Sequence, residues 1–378
     1  MSMNILKVSA FYSGHGGGIE IVADQLARHV AASGAHVIWV AGLDADKPLP
    51  EHEDGLEFAP ARYWDPLERR LGLPCPIWSV AAFARLWKQV AQADVVHLHD
   101  ALYLPCLTAM LFSKLRRKPV VLTQHIGDLP LRSRTLHAVL RLLNRTVAGW
   151  MLGAADQVVF IADQVMVYFG GFARYRHPAM LVHNGVDHDI YHPAHSRSPG
   201  TGLKLLFVGR FVAKKGVQHL RDCLDLPGIL WTFVGKGPHS PRHWPDLPEN
   251  VDVVEGLSPA AIVPYYQDAD LLVLPSHGEG FPLVVQEALA CGTPVLVGSE
   301  VAATCPNRDP ECVYDVDVSG PSAGLEVREA IRALTNDQER LKQARSHAVH
   351  LAAQWSWETC AHAYLQIYAR LGSNPGNA

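Results

Sequence analysis

The stretch ADLLVLPSHGEGFPLVVQEALACGTPVLVG (269–298) decides the fold. LLVLP is a short, continuous apolar run ending at Pro275, which is how a strand buried on both faces reads. SHGEGF carries three polar side chains and two glycines, a loop. Pro282 stands where a first helical turn begins, and the apolar pattern then runs to about Cys291. Gly292 is a C-cap signal, and TPVLVG begins the next buried strand. Strand, loop, helix, strand is the unit of a parallel sheet.

The same grammar extends both ways. ILKVSAFY (5–12), AHVIWVAG (35–42), ADVVHLHD (93–100) and KPVVLTQH (118–125) read as strands in the first half. LKLLFVGR (203–210), LWTFVGKG (230–237) and DVVEGL (252–257) join the opening stretch in the second. A Gly-rich turn follows the first strand, then a helix from Ile19 to about Ala32. Between the halves, HPAHSRSPGTG (192–202) has no periodicity and reads as a linker. The expected architecture is α/β, with two Rossmann-like doubly wound parallel-sheet domains facing one another across a cleft. The expected domains are 1–195, joined by a C-terminal crossing helix at about 358–378, and 196–357.

Composition bounds the class. The chain has 378 residues, more than one core usually serves, and 48% are hydrophobic against 19% charged. That excludes a disordered chain. Seven cysteines without a C-x-x-C pair argue against a disulfide scaffold or structural zinc and fit a reducing compartment. No apolar run is long enough to span a bilayer or to form a secretory signal, so the expectation is a cytoplasmic protein. Net charge is -4, and basic residues are not interleaved with stacking aromatics, which speaks against nucleic-acid binding.

Four groups of residues carry chemistry. Glu279, in the loop, and Glu287, about two turns into the following helix, are able to face one site at different depths, beside the free N–H groups of the helix start. Two carboxylates beside an anion site suit a ligand with phosphates and hydroxyls, although charged residues are more often merely solvated. Arg210 and Lys215 follow LLFVG in a loop before the next helix. Their fork and point charge suit a diphosphate that gains charge as it departs.

Gly14, Gly16, Gly17 and Gly18 form a loop that lets a phosphate or sugar approach closely. The dinucleotide spacing fails there, because Ile19 stands at the last glycine position. Among the histidines His97, His99, His125 and His183, the first two are read as alternating on a strand and facing apart, which disfavours a metal site. His125 ends a strand, where a substrate-contacting side chain would emerge. The Asp pairs at 44/46, 268/270 and 315/317 read as structural or solvated.

In order and in context, these motifs resemble the retaining glycosyltransferases of family 4, with the GT-B fold. The likeness covers Gly17-Gly18-x-Glu20, DVVHLHD (94–100), LTQH (122–125), HNGVD (183–187), VGRFVAKKG (208–216), VGKGP (234–238) and SHGEGFPLVVQEALACGTPV (276–295). The resemblance implies sugar transfer from a nucleoside-diphosphate sugar to an acceptor hydroxyl, with retention at the anomeric carbon and no cofactor or metal. Arg210 and Lys215 would bind the diphosphate, and Glu287 the ribose hydroxyls. Glu279 would meet the donor sugar, with Gly280, Phe281 and Pro282 beside it. Gly16 and Gly17 would close over phosphate and sugar, and His125 would lie near the reacting centre. The stretch 255–258 would lie near the base.

The chain departs from the family pattern after Gly298, where a Gly-rich segment is usual, and at 161–169, where a Ser is usual. The acceptor would be a saccharide or a lipid-linked saccharide of polysaccharide, lipopolysaccharide or glycolipid synthesis. Residues 114–153 hold eight basic residues and one acid, Asp128, and apolar positions recur at Leu136, Val139, Leu140, Leu143, Val147 and Trp150. That pattern suits either a core-packed helix or peripheral contact with an anionic inner-membrane face. Two other readings of the scaffold are a nucleotide-sugar epimerase and a non-catalytic binding subunit.

Overall fold

The computed structural model describes residues 3–71, 74–128, 133–196 and 202–373. The chain forms two compact units, Met1–Asn184 with Trp357–Ala378, and Gly185–Ser356. The boundary expected at 195/196 is therefore corrected to 184/185. The reason is packing, since Val186 and Tyr191 are buried in the core of the second unit and Val186 bridges to Ser356. Part of the expected linker, 197–201, lies outside the described residues.

In the first unit the strands of the main sheet are β1 (Asn4–Phe11), β2 (His36–Gly42), β3 (Leu56–Ala61), β4 (Val95–His99), β5 (Val120–Gln124), β6 (Gln157–Phe160) and β7 (Met180–Leu181), and Tyr63–Trp64 pairs antiparallel with Ile77–Trp78 apart from it. The main-sheet strands pair in the order β3-β2-β1-β4-β5-β6-β7, all parallel. Around them lie α1 (Gly18–Ala32), α2 (Pro66–Leu71), α3 (Val80–Gln92), α4 (Leu104–Leu115), α5 (Arg134–Leu143), α6 (Gly149–Ala154) and α7 (Asp163–Gly170). A π-helical turn, Asn144–Ala148, joins α5 to α6.

The second unit has β8 (Leu203–Val208), β9 (Ile229–Val234), β10 (Val251–Val254), β11 (Leu271–Leu274), β12 (Val295–Gly298) and β13 (Val313–Val316). Their order is β10-β9-β8-β11-β12-β13, again all parallel. Its helices are α8 (Pro259–Asp268), α9 (Leu283–Ala290), α10 (Ser299–Ala302), α11 (Ala323–Thr335) and α12 (Gln338–Ala352). The final helix, α13 (Trp357–Gly372), belongs to the first unit.

Both sheets run outward in two directions from one strand. The order reverses between β1 and β4 in the first unit and between β8 and β11 in the second. Ligands of open parallel sheets bind at such switch points, beyond the strand carboxyl ends. The glycine loop follows β1 and Asp100 follows β4. Arg210 and Lys215 follow β8, and Glu279 follows β11. The glycine loop, Arg210, Lys215 and Glu279, singled out from the sequence, thus fall on the switch points of their own sheets, while His125 follows β5, one strand away.

α13 is tied into the first unit by polar contacts as well as apolar ones. It packs against α1. The Tyr364 hydroxyl meets Thr123 Oγ1 at 2.8 Å, and the Tyr368 hydroxyl meets His97 Nδ1 at 2.7 Å. These are buried hydroxyls with partners, so they satisfy the polar ends of large core side chains.

Candidate active site

In the second unit, β8 delivers the chain to Gly209, and Arg210 is exposed; its carbonyl accepts from Val212 N–H at 2.9 Å, and its side chain makes no hydrogen bond or ion pair among the described residues. A 3₁₀ turn, Ala213–Lys215, follows, and a 3₁₀ helix, Val217–Cys223, stands where the sequence suggested an ordinary helix. Lys215 Nζ lies 2.8 Å from Glu279 Oε2, with side chains only 16% and 12% exposed. The two loops meet back to back. Gly216 has φ +72°, and a Cβ built there would stand 1.9 Å from the Pro275 carbonyl oxygen. Only glycine allows both that conformation and that approach.

The Glu279 loop is fixed at several points. His277 N–H donates to Lys214 O (3.2 Å) and Gly278 N–H to Glu300 Oε2 (2.9 Å). Phe281 is buried, edge-on to Trp355 at 4.9 Å. Pro282 is the N-cap of α9, one residue before the first turn, and offers no side-chain cap. Ser276 Oγ is buried with no partner among the described residues.

Glu287 lies on α9. Its Oε2 accepts a hydrogen bond from the Tyr266 hydroxyl (2.7 Å), and Tyr191 stands beside the same carboxylate. Burial raises its pKa, while the two tyrosines and Lys215 act against that rise. Lys214 was not singled out from the sequence. Burial lowers its pKa, Glu279 opposes that, and Lys215 and Arg210 add to it. Three cations against one carboxylate leave the end of β8 net positive, suited to an anion.

In the first unit, Ser13–His15 form a 3₁₀ turn, Gly16 takes φ +89°, and Gly17 caps α1. A Cβ at Gly17 would stand 2.0 Å from Glu20 Oε2, the end of a side chain that would have to shift to admit it. His15 is clasped on both sides. Nδ1 lies 3.2 Å from Asp44 Oδ2, Nε2 lies 3.0 Å from Glu68 Oε1, and the ring stacks on Phe11 at 3.8 Å. Asp44 also accepts from the Tyr63 hydroxyl, so this acid is structural. The other Asp pairs are structural too. Asp268 and Asp270 hold Lys204, Asp315 pairs with Arg308, and Asp317 binds Ser319.

The expectation that His97 and His99 face apart is corrected. Residues two apart on a strand share a face, and their ring centroids are 4.4 Å apart. His99 Nδ1 then meets His125 Nε2 at 3.0 Å. His125 does not stand out at the strand end but is buried, and burial together with Lys7 holds its pKa down to about 3. His183 Nδ1 is taken up separately, by Ile161 O at 3.1 Å. Among the described residues, no three His, Cys, Asp or Glu side chains are grouped to hold a metal ion.

Asp100 completes this cluster and was not singled out from the sequence. It sits at φ +67° at the end of β4, and its Oδ1 accepts from the Gln124 side-chain amide and the backbone N–H groups of His125 and Ile126. Asp100 Oδ2, His99 Nε2 and His125 Nδ1 are buried without partners among the described residues. Burial lifts the Asp100 pKa to about 7. Unpaired buried polar atoms are rare in folded proteins and mark positions with a task beyond packing. Asp100's position directly after a strand of the switch point was the signal in the sequence.

Two doubly wound parallel sheets, with cations and carboxylates gathered at the switch point of the second, define a glycosyltransferase of the GT-B fold. Residues 16–190 match the family model described as Glycosyltransferase Family 4, and 191–305 match Glycosyl transferases group 1. The chain belongs to glycosyltransferase family 4. It is 27% identical to a glycogen synthase of Mycobacterium tuberculosis, covering 97% of this chain and 94% of that protein. It is 28% identical to D-inositol 3-phosphate glycosyltransferase 1 of Catenulispora acidiphila, over 94% and 91% of the two chains. Sucrose-phosphate synthase from Thermosynechococcus elongatus shares the fold at TM-score 0.75 and 21% identity, over 98% and 99% of the chains. Anabaena HepE, solved in complex with UDP, shares it at TM-score 0.72 and 16% identity, over 98% and 100%.

Proposed function

We propose that the protein moves a sugar from a nucleoside-diphosphate sugar to an acceptor hydroxyl with retention at the anomeric carbon and without a metal ion. The observation that carries this reading is the Lys215–Glu279 pair beside Arg210 at the end of β8. A leaving diphosphate gains charge in the transition state, and preplaced cations stabilise it there. Glu279 would direct the sugar hydroxyls, with Gly280, Phe281 and Pro282 beside it, and Glu287 would take the ribose. Gly16 and Gly17 would contact phosphate and sugar, and His125 would lie near the reacting carbon. Relatives support the donor class, since HepE has been solved with UDP and with UDP-glucose.

On the front-face pathway, the acceptor oxygen bonds to the anomeric carbon as the bond to the diphosphate breaks. The acceptor proton passes to the departing phosphate oxygen. For the acceptor we propose a saccharide or lipid-linked saccharide of envelope synthesis, handled on the cytoplasmic side. No helix among the described residues is long and apolar enough to cross a membrane. α5 has no buried residue, and Val139, Leu142, Leu143 and Trp150 are exposed. Part of the basic run is already engaged, as Lys114 pairs with Asp156 and Arg116 lies over the Trp87 ring.

The test is incubation with UDP-, GDP- and ADP-sugars, with and without candidate acceptors and with a chelator present. Acceptor-dependent release of nucleoside diphosphate, insensitive to the chelator, is expected. Acceptor-free isomerisation of the sugar would replace this reading with an epimerase. No binding of any nucleoside diphosphate would leave a non-catalytic subunit.

A further inference from the structure

The Glu287 carboxylate is held by one tyrosine and flanked by a second, and the donor explains neither. Tyr266, fully buried on α8, donates its hydroxyl to Oε2 at 2.7 Å. Its backbone carbonyl accepts from Thr293 Oγ1, so the residue is anchored at both ends. Tyr191, buried near the start of the unit, stands beside the same carboxylate and packs edge-on against Tyr266 with centroids 6.1 Å apart. A carboxylate has about four acceptor directions, and the Tyr266 phenol takes one of them, leaving the rest for a ligand. That bond also holds the rotamer, since rotation breaks it, and Tyr191 packs against the phenol that makes it.

We infer that Tyr191 and Tyr266 are positioning residues that aim Glu287 at the ribose and thereby set how strongly the site prefers a ribonucleotide over its deoxy forms. The inference rests on Glu287 being the ribose carboxylate. The tyrosines touch no ligand themselves. They act by leaving one edge of the carboxylate free and still. Hydroxyls of a ribose donate to that edge, and a sugar lacking one of them forfeits the bond and leaves a buried acceptor unpaired.

The experiment is calorimetric titration of the full chain with whichever of UDP, GDP or ADP binds tightest, and with its 2′-deoxy and 3′-deoxy forms. Tyr191→Phe, Tyr266→Phe and Glu287→Gln are titrated alongside, with thermal melts as a check on folding. The intact protein should prefer the ribonucleotide by about 10-fold or more, the worth of one hydrogen bond to a charged group. Each Phe variant should narrow that preference about 3- to 10-fold, chiefly by weakening the ribonucleotide. Equal weakening of ribo and deoxy ligands, or undiminished preference in both variants, overturns the positioning role alone. An intact protein that ignores the ribose hydroxyls overturns the role of Glu287 and this inference with it. An intact protein that binds no nucleoside diphosphate overturns the proposed function itself.

Discussion

Lys215 Nζ lies 2.8 Å from Glu279 Oε2, although the two residues come from loops that follow different strands of the sheet. The pair ties the end of β8 to the end of β11 across the switch point, and it sets one cation and one carboxylate in fixed positions before any ligand arrives. Lys215→Ala and Glu279→Ala should each lower turnover by at least roughly 100-fold, the usual loss when one preorganised charge is removed. Leaving the other charge poorly solvated should cost roughly 1–3 kcal/mol of stability, which a folded domain tolerates. Steady-state kinetics beside thermal melts test both statements, and near-normal activity in either variant would falsify the site.

Gly216 is the hinge of that arrangement. A methyl group there would collide with the Pro275 carbonyl, in a backbone conformation that L-residues avoid. Gly216→Ala should destabilise the second unit by about 3 kcal/mol or more, at the upper end for a point change. Denaturant unfolding of that unit measures it, and a stable Gly216→Ala protein would mean the two loops are free to part.

Asp100 predicts a pH effect. Burial raises its pKa to about 7, so the folded state favours the protonated acid. Its contribution is unimpaired below the ordinary carboxylate range, and stability falls as pH climbs from there towards 7. Asp100→Asn mimics the protonated form and should remove this loss. Its advantage over the native chain should grow between pH 4 and 7 by up to about 1.4 kcal/mol per pH unit. Melts of the first unit at several pH values check this, and parallel curves for the two proteins would contradict it.

His15 predicts local order. Asp44 and Glu68 hold the two ring nitrogens of His15 from opposite sides, at 3.2 and 3.0 Å. His15→Ala should free the turn that presents Gly16. The Gly16 amide, which donates to Ser13 O at 3.0 Å, should then exchange with solvent several-fold faster, by the logic of local opening. Hydrogen exchange resolved to residues 12–18 measures it, and unchanged exchange would show that the clasp is incidental.

Exposed apolar residues on α5 and α6, with Arg134, Arg141 and Arg145 exposed alongside, predict salt-sensitive flotation with anionic vesicles. Replacing Leu142 and Trp150 by Ser should weaken it several-fold, in proportion to the apolar area lost. Flotation equal with neutral vesicles, or none at all, removes the support for a bilayer-borne acceptor.

Most parallel strands with continuous apolar runs were legible, as in LLVLP and KPVVLTQH, but β6 was passed over although QVVF is such a run. β3 hid behind Pro60 and a polar residue, β7 spans only two residues, and β13 lies in a segment with no apolar run of ordinary length. The loop residues Arg210, Lys215 and Glu279 were visible because charge after a buried strand is uncommon. Tyr266 and Tyr191 were not visible, since their hydroxyls matter only through a carboxylate far away in the chain. The His97–His99–His125 contact depended on strand parity and neighbour order, and Glu300's hold on Gly278 came from a segment without a recognisable pattern.

α13 completes the first unit, yet it is translated after every residue of the second. While the chain leaves the ribosome, the second unit has all its parts before the first does. Until the last helix emerges, His97 and Thr123 lack the tyrosine hydroxyls that later cover them. A nascent chain stalled before Trp357 would thus carry a finished half and an unfinished one, with buried imidazoles laid open to water and to chaperones.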